Sequence, residues 1–255
     1  MLLRNIYSTV SLLSVLSVSA ASFSATAGNI VSAQDGITLS TTRVIYPGDA
    51  RNGITYTLTN NTSHPFLLQS RVMPRDAVAQ QDSDNNAEQA PFIVLPPLTR
   101  FEPDTALTLR IRLTKNTLPD DRESVFTLAL NAIPAQQNSD EAQTSLVMST
   151  QNNLKLFYRP SGLPPADIEQ IEKQIEFRRG NNGLTVKNPT PFYITFNTLF
   201  IGNTEIELGN NRMIPPFSEQ KWSLQPGVSG DIRWQLITDD GSAGKTISRP
   251  LTSAR

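Results

Sequence analysis

The chain has 255 residues, with 22 lysines and arginines against 23 acidic residues, a single histidine and no cysteine. A near-neutral, slightly acidic balance speaks against nucleic acid or an anionic membrane surface as partner, because both recruit basic patches. Without cysteine there is neither a disulfide nor a thiolate nucleophile, and one histidine leaves catalytic triads and zinc sites short of groups.

In chain order, the first element is a leader. Arg4 is the only charged side chain before Gly28, residues 12–18 form an apolar run with serines, and Ala25-Thr26-Ala27 is an A-x-A cleavage pattern. The run is too short for a bilayer, which takes roughly 20 apolar residues. Residues 1–27 therefore read as a secretory signal peptide, with a cut after Ala20 as the alternative. No later segment is apolar enough to anchor the chain, so the mature protein is expected to be exported, soluble and free of membrane insertion. Loss of Arg4 leaves 21 basic against 23 acidic residues, a net charge of −2. The remaining chain of roughly 228 residues suffices for two ordinary domains.

Strand periodicity dominates the rest of the chain. Ile54-Thr55-Tyr56-Thr57-Leu58-Thr59 alternates apolar with polar, as does the run from Ala106 to Leu113. Phe126-Thr127-Leu128-Ala129-Leu130 and Leu184-Thr185-Val186 repeat it. Turn signals such as Pro47-Gly48-Asp49, Asn60-Asn61, Pro119-Asp120-Asp121 and Asp239-Asp240-Gly241 separate these runs, a pattern that predicts β-sandwiches. Residues 80–86 and 135–140 read as polar loops. The one helix-like stretch, residues 164–173, is expected to give a turn or two, its prolines suiting a helix start.

Midway lies Asn153-Leu154-Lys155-Leu156-Phe157-Tyr158-Arg159-Pro160, an apolar strand interrupted by one lysine. A lysine in such a setting calls for an anion. Just ahead, Ser145-Leu146-Val147-Met148-Ser149-Thr150 can pair as a strand. Charge and pairing edge together suit a protein that holds another chain by its carboxyl terminus. Prolines and a glycine in residues 160–165 cannot continue a ladder, so the boundary falls there: one immunoglobulin-like sandwich over residues 28–160 and another over 161–255.

The motifs Ser40-Thr41-Thr42-Arg43-Val44-Ile45-Tyr46-Pro47, Leu95-Pro96-Pro97, Arg100-Phe101-Glu102-Pro103, Asp121-Arg122-Glu123-Ser124, Leu154-Lys155-Leu156-Phe157-Tyr158-Arg159-Pro160 and Asn188-Pro189-Thr190-Pro191-Phe192-Tyr193 occur in that order. Over nearly the whole mature sequence the chain resembles the periplasmic pilus chaperones of the chaperone–usher pathway. The resemblance implies an all-β protein of two immunoglobulin-like domains set at an angle with a cleft between them. It also implies a periplasmic chaperone that caps pilus (fimbrial) subunits and passes them to an outer-membrane usher, with no cofactor. By the same resemblance, Arg43 and Lys155 converge on a subunit's C-terminal carboxylate and are expected to serve binding rather than folding. Glu123, Arg159 and Asp239 form a buried inter-domain charge network, Asp239 being chosen over its neighbour Asp240. Leu146, Met148 and Thr150 belong to a donor strand that fills a groove in the subunit. Strand parity sets Leu146 and Met148 on the face opposite Lys155, and Met148 to Lys155 spans roughly 23 Å when extended. Thr150 departs from the large apolar residue often found there, and a shorter or weaker groove contact is expected. The residues leave open whether the free protein caps itself as a homodimer, and which subunits and usher it serves.

Enzymatic readings find little support in the residues. His64 sits in a turn, Asp120-Asp121 and Asp239-Asp240 are turn acids, and Trp222 and Trp234 read as core or strand-face residues. No Gly-rich phosphate loop is present. An exported adhesin or pilus subunit is the alternative in another class, but residues 28–35 are too short and polar for a donor peptide. A sandwich glycoside hydrolase lacks positioned acids.

Overall fold

The computed structural model describes residues 36–75, 90–135, 148–180 and 183–251. The leader, most of both polar loops and Leu146 lie outside them. Nine strands precede the only α-helix among the described residues: β1 (Ile37–Leu39), β2 (Arg43–Pro47), β3 (Ile54–Asn60), β4 (Phe66–Pro74), β5 (Phe92–Leu95), β6 (Leu98–Phe101), β7 (Thr105–Leu113), β8 (Ser124–Pro134) and β9 (Thr150–Arg159). After α1 (Ile168–Gln174) come β10 (Glu176–Arg179), β11 (Gly183–Asn188), β12 (Ile194–Ile201), β13 (Thr204–Glu205), β14 (Met213–Ile214), β15 (Ser218–Ser223), β16 (Ile232–Ile237) and β17 (Ala243–Arg249).

The first sandwich sets the sheet β1-β3-β7-β5 against β2-β9-β8-β4-β6. Alternation dictates the packing. On β7, Leu109 and Ile111 are fully buried while Arg110 and Arg112 between and beyond them are exposed. Leu58, Leu68, Leu128, Leu130 and Leu156 complete the same core. Each such side chain contributes about 1.5–3 kcal/mol on burial. The second sandwich sets β10-β11-β15 against β13-β12-β16-β17 around a separate core. There Trp234 is fully buried, its ring 4.7 Å from that of Phe177, and Trp222 is buried beside Phe196. Both tryptophans are thus core residues.

The helix begins later than the proline-rich stretch that heralds it. Asp167 is the N-cap, its side chain accepting a hydrogen bond from the Glu169 N–H at 2.9 Å, so Pro164 and Pro165 stay in the incoming segment. The seven-residue helix packs Ile171 on the second core.

One strand pairing positions the cleft residues. After β1 the chain crosses to the other sheet, and β2 runs parallel to β9, the two being in register from Arg43↔Lys155 to Pro47↔Arg159. Every other strand pairing among the described residues is antiparallel.

Candidate functional site: a cationic inter-domain cleft beside an open strand edge

Register brings Arg43 and Lys155 together: they are direct partners across β2 and β9, with side chains on the face opposite the Leu154–Leu156 core face. Arg43 is only 8% exposed. Its Nη1 donates to the carbonyls of Ile237 at 3.1 Å and Thr238 at 3.5 Å in the second sandwich, and its guanidinium lies 5.4 Å over the Phe157 ring. Its Nη2 is buried with no hydrogen-bond partner among the described residues, a donor left over in the cleft. Burial lowers the Arg43 pKa, with Asp239 and Glu123 opposing. Lys155 has no carboxylate partner among the described residues, and burial, together with the charges of Arg43, Arg75 and Arg212, pushes its pKa down. Arg43 therefore also bridges the two sandwiches. Its two carbonyl acceptors, supplied from far along the chain, give no sequence signal.

Beyond this pair, the structure brings Arg159, Glu123 and Asp239 into one network. Arg159 Nε donates to Glu123 Oε1 at 2.8 Å, while Nη1 and Nη2 clamp Asp239 at 2.8 and 3.1 Å. The second oxygen of Glu123 accepts from the Tyr193 N–H at 2.8 Å, and the Glu123 N–H donates to the Pro191 carbonyl at 2.9 Å. Burial pushes the Glu123 pKa up despite Arg159 and Tyr193. For Arg159, burial is outweighed by Asp239 and Glu123, and the pKa rises. Asp240 turns away: it accepts from Ser242 N and Oγ and from the Thr238 hydroxyl, which bring its carboxyl down to about 2. Around the network, Phe157 meets Tyr193 at 5.8 Å and Arg159 covers Phe192 at 5.3 Å. Phe192 and Tyr193 close the Asn188-Pro189 motif, but nothing in their sequence pattern announces the contact.

A cavity of ≈ 200 Å³ at the junction is lined by Arg43, Arg159, Phe192, Tyr193 and Asp239 among others, and Lys155 is not part of its wall. No group of three or more side chains suited to a metal ion occurs among the described residues.

The segment before Lys155 has an unpaired side. β9 pairs with β8 along nearly its whole length, from Thr150↔Ala132 to Tyr158↔Ser124, but β2 covers only Lys155 to Arg159. Among the described residues, the edge of β9 from Thr150 to Leu154 is therefore open. Met148 precedes it, 74% exposed, and Thr150 is exposed too. Both share the parity of Leu154 and Leu156. Leu146 lies outside the described residues.

The chain is similar to known proteins over most of its length. Residues 36–164 match the family described as pili and flagellar-assembly chaperone, PapD N-terminal domain, and residues 170–248 match the pili assembly chaperone PapD, C-terminal domain. The chain is 34% identical over 216 residues to chaperone protein LpfB of Salmonella typhimurium, a match spanning 84% of this chain and 88% of the relative. It is 34% identical over 213 residues to chaperone protein FimC of Escherichia coli, spanning 82% of each. The crystal structure of the E. coli chaperone DraB superposes with a TM-score of 0.71 at 33% identity, covering 85% of this chain and 97% of that one. A chain from the complex of the Salmonella enterica SafA pilin with the SafB chaperone does so with a TM-score of 0.71 at 31% identity, covering 85% and 96%. The fold and these matches define a pilus-assembly chaperone. The chain belongs to the PapD family, a family of two-domain, all-β, non-enzymatic assembly chaperones.

Proposed function

We propose that this protein is exported by its leader (residues 1–27) to the periplasm, where it captures pilus subunits and delivers them to an outer-membrane usher. Arg43 and Lys155 anchor the subunit's terminal carboxylate. The open edge of β9 lends the subunit a strand, with Leu146, Met148 and Thr150 turned into its apolar groove. Glu123, Arg159 and Asp239 hold the sandwiches, whose limits are 28–160 and 161–255, at the angle that shapes the cleft. Without a subunit, the same edge is open to a second copy.

The observation that carries this reading is the juxtaposition of two neighbouring cations, neither in an ion pair among the described residues, with a strand edge left unpaired among those residues on the same strand. An anchored carboxylate fixes the register in which the subunit pairs, and the ladder then supplies affinity. Charge-assisted hydrogen bonds to the carboxylate contribute about 1.5–3 kcal/mol each. The pilin–chaperone complex among the structural neighbours supports the same partner class.

Parity supplies the test. Met148→Glu would set a charge in an apolar groove, costing several kcal/mol, whereas Ser149→Glu points to the other face. Both positions are exposed in the free protein, so neither variant should lower the unfolding midpoint. Recovery of subunit–chaperone complex from periplasm should collapse for Met148→Glu and stay near normal for Ser149→Glu. Equal recovery of the two would remove the groove-filling role.

A further inference from the structure

The cleft carries more positive charge than one carboxylate needs. Lys155, Thr127 and Met73 lie in one row across β9, β8 and β4, and Arg75 follows β4 directly beyond Met73 and Pro74. In the second sandwich Arg212 stands just ahead of β14, its carbonyl accepting from the Phe196 N–H at 2.9 Å, three residues beyond Tyr193, whose ring meets Phe157. Both arginines are exposed, and neither forms an ion pair among the described residues. Glu205 and Glu207 share a surface hollow with Arg212 but do not reach ion-pair distance. Arg75 and Arg212 are near enough for their charges to be felt at Lys155, as is that of Arg43. Arg43, Arg75 and Arg212 thus all add to the positive field at Lys155, where a chain terminus would sit, and Arg43 retains a buried donor with no partner among the described residues.

We propose that the cleft recognises two carboxylates on one subunit: the chain terminus, held by Arg43 and Lys155, and an Asp or Glu side chain among the residues just before it, read by Arg75 and Arg212. This rests on the terminal-carboxylate reading above. The two sites differ in kind. The buried pair fixes position, whereas the exposed arginines act through a screened field and select among subunits by their tail sequence. Subunits with neutral tails would be bound more weakly and would lose the competition for free chaperone.

The test uses synthetic twelve-residue peptides of alternating apolar residues, with a free carboxyl terminus and a single Asp or Asn at each of the last five positions before it. Binding is measured by fluorescence anisotropy with the intact protein. At one or two positions the Asp peptide should bind about three- to tenfold more tightly than its Asn counterpart at low salt, the scale of exposed charge pairs, and the gap should close at about 1 M salt. In the Arg75→Ala, Arg212→Ala double variant the preference for Asp should vanish, while the preference for a free over an amidated terminus persists. Equal affinity for Asp and Asn peptides at every position in the wild type would overturn the proposal. A preference that survives in the double variant would overturn it equally. Loss of the free-over-amidated preference in the wild type would instead strike the carboxylate anchor, so the two readings fail separately.

Discussion

At Arg159 one guanidinium is shared between two carboxylates of very different exposure: the Glu123 side chain is 2% exposed and that of Asp239 is 52%. The same 2.8 Å hydrogen bond therefore has unequal consequences on the two sides. Arg159→Ala leaves the Glu123 carboxylate buried without its counter-charge, a loss of about 3–5 kcal/mol. Asp239→Ala removes a solvated partner and should cost about 1 kcal/mol or less. Urea midpoints of the two variants measure the difference, and equal losses would mean that Glu123 is hydrated. The carboxyl also titrates with a definite sign. Burial raises its folded-state pKa above the unfolded value, so its contribution to stability is present at low pH and fades as pH rises through the raised value. Glutamine does not titrate, so the stability gap between wild type and Glu123→Gln should shift in the variant's favour as pH rises from the ordinary glutamate range through the raised value.

At the scale of elements, the turn between β16 and β17 shows how a local shape becomes a domain contact. Thr238 and Ser242 close it, with the Thr238 N–H donating to the Ser242 carbonyl at 2.9 Å and the Gly241 N–H to the Thr238 carbonyl at 3.0 Å. Gly241 has φ +85°, and a Cβ there would stand 1.8 Å from Thr42 Oγ1, just before β2. Gly241→Ala would both strain the backbone, at about 1–3 kcal/mol, and push the turn off Thr42 and Arg43. Thr42→Ala removes the nearest atom but leaves the φ cost, so the double variant should recover only part of the midpoint lost by Gly241→Ala. Full recovery would show that φ is not strained there, and no recovery that the turn does not touch Thr42. Sequence made the strands legible because alternation is local: β3, β7, β8 and β11 all match runs visible by eye. It could not show the parallel pairing of β2 with β9, nor the approach of Gly241 to Thr42, because each depends on residues far apart in the chain. Asp239 and Asp240 illustrate the limit. Composition treats them alike, and only the turn's direction aims one at Arg159 and the other at its own backbone.

Across the whole molecule, the two sandwiches have separate apolar cores, and what joins them is polar and aromatic. Arg43 bonds to the carbonyls of Ile237 and Thr238, Arg159 and Glu123 bind Asp239 and Tyr193, and Arg122 covers Phe217 at 5.0 Å. With no shared core, cooperativity between the domains has to run through this small junction, and deleting its centre should uncouple them. Glu123→Ala combined with Arg159→Ala removes both charges of that pair at once, so neither is left buried without the other. The two tryptophans of the chain, Trp222 and Trp234, both lie in the second core, so their fluorescence reports on that sandwich alone. Far-ultraviolet circular dichroism reports on both. In the wild type the two signals should trace one urea transition, as coupled domains require. In the double variant they should separate, the dichroism broadening into two steps while the fluorescence keeps one. Coincident curves in the variant, shifted together to lower urea, would mean that Arg43 and the aromatic contacts suffice to couple the domains and that the charge network only adds stability.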